Sequence, residues 1–501
     1  MTRLRRLFAS IGASYVRFAL TSACSVAAVP IYLHYLGQEQ YGLWLTLLSV
    51  LMPLSLVSLG FPTVSQNLLT EARAHDDWPT ANRVLSSSFI FLCVAAISAC
   101  LLVEIGLRLG IVQALLKTRP GHAAPVVPAL LIALAGFALS QPLQVFRLAF
   151  RAFERVDLEQ YGLAALSLAN LILTVLALWA GAGIVGVAAV YAFLQVAAGV
   201  VFFAALTRQF KRLRFSARHF SFALARRMLP PGFHFFVVSV SGVLMWGIDN
   251  LVIAGALGVG FVTAFAIASR LTSLLRGAIA LPFSTSGPTI TALSAEGRPA
   301  PLRRLYFLST RLAFSAAGIF AVELAFFGRD FIRLWAGRAV VVDGPTFMAL
   351  VAVLVVNVLQ QPAYAFIIAT TRHRTFSWLS LLEGAANLGL SLWWVRRWGV
   401  LGVALGTLVP QALISGVYLL AAGARMNGFA FAGLSKANLR PLAFPAAASA
   451  AAGFLLRNFS ATWLEWAVST GVTLLVFAGT CWLASATPEE RGILAAALRA
   501  A

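Results

Sequence analysis

The chain has 501 residues, of which 60% are hydrophobic and 11% charged, with a mean hydropathy of +0.87; a soluble domain carries about 25% charged residues. No water-soluble core could enclose that much apolar surface, so soluble enzymes and soluble binding modules are excluded. The net charge of +21 does not point to nucleic acid, because the basic residues fall mainly between apolar blocks, where Lys and Arg act as topology signals.

Arg3, Arg5 and Arg6 stand before the first apolar run, which gives the start the look of a secretory leader, and Thr21-Ser22-Ala23-Cys24 has a trace of a lipoprotein cleavage site. Thr rather than Leu stands three residues before the Cys, and the apolar stretch continues to Leu36, so an uncleaved first helix is expected. Windows long enough to span a bilayer, about 20 apolar residues each, follow at residues 8–36, 41–66, 84–109, 124–150, 158–181, 184–207 and 230–257. Seven more follow at 261–292, 305–327, 345–371, 376–395, 399–422, 441–456 and 463–485. With the N-terminus inside, about 26 Lys and Arg fall on the inner side, about 9 outside and about 3 within helices, which supports cytoplasmic N- and C-termini in a bacterial inner membrane. The densest basic loop, Arg208 to Arg227 with Lys211, Arg212, Arg214 and Arg218, joins spans six and seven on the inside, where it meets anionic headgroups.

That loop separates two similar halves. Tyr35-Leu36-Gly37 before Tyr41-Gly42 recurs as Ala256-Leu257-Gly258 before Ala264-Phe265. Gln141-Pro142 with Phe146 recurs as Gln361-Pro362 with Phe366. Asn170 followed by Gly183-Ile184-Val185-Gly186 recurs as Asn387 followed by Gly399-Val400-Leu401-Gly402. The offsets drift from about 221 through about 220 to about 216, as a duplication with small gaps would give. Six spans per half leave both halves with the same orientation, related by an axis along the membrane normal, a transporter architecture with the substrate held between repeats. The expected fold is an all-α polytopic membrane protein of about fourteen helices. It divides into a six-helix bundle (1–207), a basic cytoplasmic linker (208–229), a second six-helix bundle (230–422), and two further helices with a short cytoplasmic tail (423–501). The four cysteines, Cys24, Cys93, Cys100 and Cys481, lie inside apolar segments with no CxxC pair and no His at ligand spacing, so neither a disulfide framework nor a metal or other cofactor is expected.

Tyr35-Leu36-Gly37-Gln38-Glu39-Gln40-Tyr41-Gly42-Leu43-Trp44, then Ser58-Leu59-Gly60-Phe61 and Thr70-Glu71-Ala72-Arg73, resemble the opening of bacterial polysaccharide flippases, the Wzx-like members of the multidrug/oligosaccharidyl-lipid/polysaccharide (MOP) exporter superfamily. The resemblance implies two helical bundles and no enzymatic activity. It also implies movement of a polyprenyl-diphosphate-linked oligosaccharide from the cytoplasmic to the outer leaflet, through a cavity lined with basic residues. The partners it implies are that lipid-linked cargo and the membrane lipids, with a polysaccharide polymerase or ligase as a further candidate and no nucleic acid.

An ionised group at mid-membrane is costly unless paired or wetted, so such residues are functional candidates. Arg17, Asp249, Arg270 and Arg276 are the clearest, and Glu323 and Glu383 are weaker. A guanidinium fork binds phosphate oxygens bidentately, which suits a diphosphate, and Asp249 can pair with an Arg or carry a proton. Arg270 and Arg276 are six positions apart and point about 120° from each other on a helix. The competing reading makes these charges structural ion pairs between helices. Arg147 and Arg151 at the inner end of span four read as snorkelling lipid anchors, and the two Gln-Pro pairs as helix kinks whose amides satisfy freed backbone groups. Two rival functions remain at this point: a cation-coupled multidrug exporter of the same superfamily, which would favour acidic cavity residues, and a membrane glycosyltransferase or polymerase. The latter would need catalytic carboxylates that the short external segments 110–123 and 328–344 do not pair.

Overall fold

A computed structural model describes residues 3–110, 125–370 and 374–485, and every regular element among them is helical. Most of the expected external segment 110–123 and the expected tail after Ser485 lie outside the described residues. The chain forms two compact units, residues 1–263 and 264–501.

The first unit contains α1 (Arg3–Leu54), α2 (Phe61–Ala74), α3 (Trp78–Arg108), α4 (Val126–Ala152), α5 (Val156–Trp179), α6 (Gly183–Gln209), α7 (Phe222–Trp246), α8 (Asp249–Leu257) and the start of α9 (Gly260–Thr285). The second unit holds the rest of α9, then α10 (Gly287–Ala295), α11 (Pro299–Glu323), α12 (Arg329–Ala336), α13 (Gly344–Ala369), α14 (Arg374–Trp398), α15 (Val400–Pro410), α16 (Val417–Met426), α17 (Phe431–Leu456) and α18 (Trp463–Thr480). Short π-helical segments join α11 to α12 (Leu324–Gly328) and α15 to α16 (Gln411–Gly416).

By length and composition, 11 helices among the described residues can cross a membrane, or up to 12 if the bent pair making up α7 is one span. The sequence windows give about fourteen, and the difference has two sources. The windows 8–36 and 41–66 fall on one continuous element, Gly12–Ser58, counted as a single candidate, which breaks at Gly37 (φ 71°, ψ 177°). A positive φ of that kind suits a residue without a Cβ. The window 376–395 falls on α14, 25 residues long, whose Glu383, Asn387 and interspersed Ser and Gly residues make it less apolar than the candidate spans. Large apolar side chains such as Ile97, Phe193, Trp393 and Leu475 point outward, as they do on helices solvated by lipid.

Small residues set the spacing within the first unit. A Cβ on Gly136 would collide with Ala192, and one on Gly199 with Leu143, so α4 and α6 approach as closely as small-residue membrane interfaces allow. An aromatic core closes one end, with Phe61 stacked on Phe91 and Phe146 against Phe203 and Phe215. The basic loop is tied to this core by its backbone: the Arg214 N–H donates to Asn82 Oδ1 (2.7 Å) and the Ser221 N–H to Ser87 Oγ (3.0 Å). α3 starts at Asp77, whose carboxylate accepts from the Thr80 N–H at 3.0 Å, a standard N-cap.

Candidate functional site

The first unit holds a polar cavity of about 310 Å³ between α1, α4, α5 and α6, lined by Arg17, Ser140, Gln141, Gln144, Arg147 and Gln195 among others. A second lobe of about 250 Å³ shares Arg17 and Gln195 and adds Ser167, Asn170 and Tyr191. In a chain this apolar, one concave surface carrying two guanidinium groups, amides and hydroxyls is the feature that calls for a ligand.

The local sequence accounts for each position. Arg17 lies on α1 and its Nη1 donates to Gln160 Oε1 at 2.9 Å; Thr21, one turn on, meets Ser167 Oγ at 3.0 Å. Glu159, fully buried at the start of α5, accepts from Arg147 Nη1 (2.8 Å) and Arg151 Nε (2.5 Å). Residues 147 and 151 share one face of α4 by i, i+4 spacing, and the tight turn at Phe153–Arg155 brings the first turn of α5 back onto that face. Arg147 and Arg151 are therefore held by a buried carboxylate within the protein and not as lipid anchors. Arg147 carries one guanidinium nitrogen to Glu159 while lining the cavity beside Arg17, so two like charges repel across it.

Of the four substrate-binding residues expected from sequence, Arg17 alone lines this cavity; Arg147, Gln141 and Asn170, singled out from sequence for other reasons, line it as well. Asp249 lies elsewhere in the same unit, at the first position of α8 after the break at Gly247–Ile248, where the helix N-terminus favours a carboxylate. Arg270 and Arg276 lie on α9 in the second unit; α9 is a continuous helix, so their side chains leave it about 120° apart. Sequence reasoning missed Glu159, Gln160, Tyr191 and Gln195. No sequence signal singled out Glu159, which falls in the first turn of a predicted span, where an acidic residue is ordinary.

The two Gln-Pro kinks spend their amides on neighbouring side chains. Gln144 Nε2 donates to Gln141 Oε1 (2.8 Å), and Gln361 Nε2 to Asn357 Oδ1 (3.2 Å).

The second unit has a buried polar belt of a different kind. Along one face of α14 run Glu383, Asn387 and Ser391, all 2% exposed or less. Ser391 Oγ and Thr407 Oγ1 both donate to Asn387 Oδ1, at 3.0 and 3.4 Å, and Ser415 Oγ donates to Glu383 Oε2. Glu323, at the end of α11, accepts from Thr473 Oγ1 at 2.5 Å.

Many helices long and apolar enough to span a bilayer, with a polar, basic cavity in the first unit, define a polytopic membrane protein. Solved structures agree on the fold. The chain is similar to an inward-facing multidrug resistance MATE family transporter of the MOP superfamily (TM-score 0.70, 17% identity, 84% of this chain and 99% of that one). It is equally similar to the lipid II flippase MurJ in an inward closed conformation (TM-score 0.70, 14% identity, 93% and 96%). The outward-facing form of a MATE transporter gives a TM-score of 0.60 at 15% identity over 87% and 97%. Among curated proteins no sequence matches this chain. Residues 19–294 match the family model described as polysaccharide biosynthesis protein, and the chain belongs to that family. The resemblance read from the first hairpin is thereby borne out.

Proposed function

We propose that the protein flips a polyprenyl-diphosphate-linked oligosaccharide from the cytoplasmic to the outer leaflet of a bacterial inner membrane, by alternating access, for surface polysaccharide assembly. The observation that carries this reading is the pair Arg17 and Arg147 in one amide-rich cavity. Guanidinium forks supply the charge-assisted donors a diphosphate requires, and the surrounding amides and hydroxyls suit sugar hydroxyls. Two like charges in one cavity work against a cationic drug, which disfavours the multidrug reading that the fold also accommodates. Arg270 and Arg276, on the candidate span Gly260–Phe283, and Asp249, at the start of the short helix α8, are secondary substrate-binding candidates. N-in, C-in topology follows from the Lys and Arg distribution, and an enzyme that makes or consumes the lipid-linked cargo, a polymerase or ligase, is the fitting protein partner.

The direct test is binding of a short-chain polyprenyl diphosphate N-acetylglucosamine to the full-length protein in detergent. Arg17→Ala is expected to weaken binding about ten- to a hundredfold, as loss of a charged hydrogen-bond partner does, and to flatten its salt dependence. Unchanged affinity in Arg17→Ala would remove the cavity from the reading.

A further inference from the structure

Two adjacent residues at the start of α5 hold the two arginines that line the polar cavity. Gln160 Oε1 accepts from Arg17 Nη1 at 2.9 Å, and Glu159 accepts from Arg147 Nη1 at 2.8 Å and Arg151 Nε at 2.5 Å. Glu159 is fully buried and Gln160 is 6% exposed, so neither is a mobile surface group. Neighbours on a helix leave it about 100° apart, and here one reaches back to α4 while the other reaches α1. Thr21, one turn past Arg17, meets Ser167 of α5 at 3.0 Å, so α1 is tied to α5 twice on this side. The turn that sets α5 in place is itself held. Glu154 has a left-handed backbone (φ 58°), the Arg155 N–H donates to the Phe150 carbonyl at 2.8 Å, and Arg155 pairs with Asp157.

The two holding residues differ in formal charge, and that difference sets what each arginine has left to offer. Glu159 offsets one of the two guanidinium groups it receives. Gln160 is an amide, so it orients Arg17 through its carbonyl and offsets none of its charge. Arg17, Arg147 and Arg151 against Glu159 leave two formal positive charges in this cluster, and Arg155 and Asp157 cancel each other. A diphosphate esterified at both ends carries a negative charge on each phosphate, so this surplus matches it and exceeds what a monophosphate diester neutralises. A guanidinium fork held in place before the ligand arrives also avoids the side-chain ordering that binding otherwise costs.

We propose that Gln160 is a positioning residue for this site: it aims the Arg17 guanidinium into the cavity beside Arg147 and leaves the charge of that arginine for the ligand. With Glu159 it makes the first turn of α5 the element that favours a diphosphate diester over a monophosphate diester. The inference rests on the reading of the cavity as an anion site.

The test is a double-mutant cycle over Gln160→Ala and Arg17→Ala in the full-length protein in detergent. Its readout is binding of the short-chain polyprenyl diphosphate N-acetylglucosamine and of the corresponding monophosphate. Gln160→Ala is expected to weaken diphosphate binding about tenfold, and to add less than about twofold to Arg17→Ala, because it acts through that arginine. Gln160→Glu separates position from charge, and it decides alone if Gln160→Ala does not fold. It keeps an acceptor of the same length, so the melting temperature is expected to hold. A carboxylate on Arg17 competes with the ligand, so diphosphate binding is expected to weaken about tenfold and its lead over the monophosphate to shrink. Unchanged binding in the Gln160 variants while Arg17→Ala weakens it, or losses that add in full in the double variant, would overturn the positioning role and leave the anion cavity standing. Unchanged binding in Arg17→Ala would overturn the cavity reading and this inference with it.

Discussion

Glu159 and Glu383 are both buried glutamates on membrane helices, and their surroundings differ in one respect that decides their chemistry. Glu159 in the first unit receives two guanidinium groups, so its energy is tied to its partners. Glu383 in the second unit receives one hydroxyl and, among the described residues, no ion-pair partner. Asn170 and Asn387 differ in the same sense: Asn170 lines an open cavity, whereas Asn387 is closed off by Ser391 and Thr407. The first unit thus holds a polar cavity and the second a sealed carboxyl.

The largest expected effect comes from breaking the charged side of this contrast. Glu159→Gln leaves Arg147 and Arg151 facing a neutral amide in a fully buried position, and removal of one partner of a buried ion pair costs about 3–5 kcal/mol. Unfolding in detergent should show it, and a loss below about 1 kcal/mol would mean that water already screens the cluster. Gly199→Val, which forces a side chain into Leu143, should cost about 1–3 kcal/mol by overpacking α4 against α6. It separates packing beside the cavity from charge within it, since it leaves both arginines in place. Glu383→Gln should be milder, about 1 kcal/mol or less, because an amide can keep the Ser415 bond and no ion pair is broken; a loss as large as that for Glu159 would erase the distinction between the two glutamates.

The smallest effect lies outside the membrane, at Asp77. The hydrogen bonds from the Thr80 side chain and backbone hold its carboxyl below the ordinary value of 3.8, with Arg83 and His75 helping by charge. A lowered folded value means that the stabilisation is fully present above the unfolded value and is lost as the pH falls through the folded one. Melting temperatures of wild type and Asp77→Asn should therefore differ at neutral pH and converge in strong acid; a difference that persists unchanged below pH 3 would assign the cap to geometry alone.

Much of the fold was legible in the sequence, because a helix in lipid must satisfy its backbone internally and be apolar on nearly every face. The spans, the basic loop and the opening motif of the family followed from that. The number of spans was less legible, since a window does not show whether Gly37 separates two helices or bends one, and α14 carries the polar residues Glu383, Asn387 and Ser391 on its buried face. Within the site, Arg17 could be found because an isolated Arg deep in an apolar run is costly unless it is paired or wetted. Glu159, Gln160 and Gln195 could not, because residues near helix ends and amides within helices have ordinary reasons to be there. Only the folded α4–α5 turn shows that Glu159 meets two arginines, and only the π segment shows why Ser415 reaches Glu383.

The central claim is that Arg17 and its cavity handle an anionic lipid-linked sugar, and it is tested most directly by mass spectrometry of lipid-linked saccharides, with leaflet assignment. The cells to compare are those lacking the gene and those complemented with wild type or Arg17→Ala. One polyprenyl-diphosphate oligosaccharide is expected to accumulate in the cytoplasmic leaflet, to be cleared by wild type, and to remain with Arg17→Ala. An unchanged lipid pool accompanied by altered efflux of cationic dyes would contradict it.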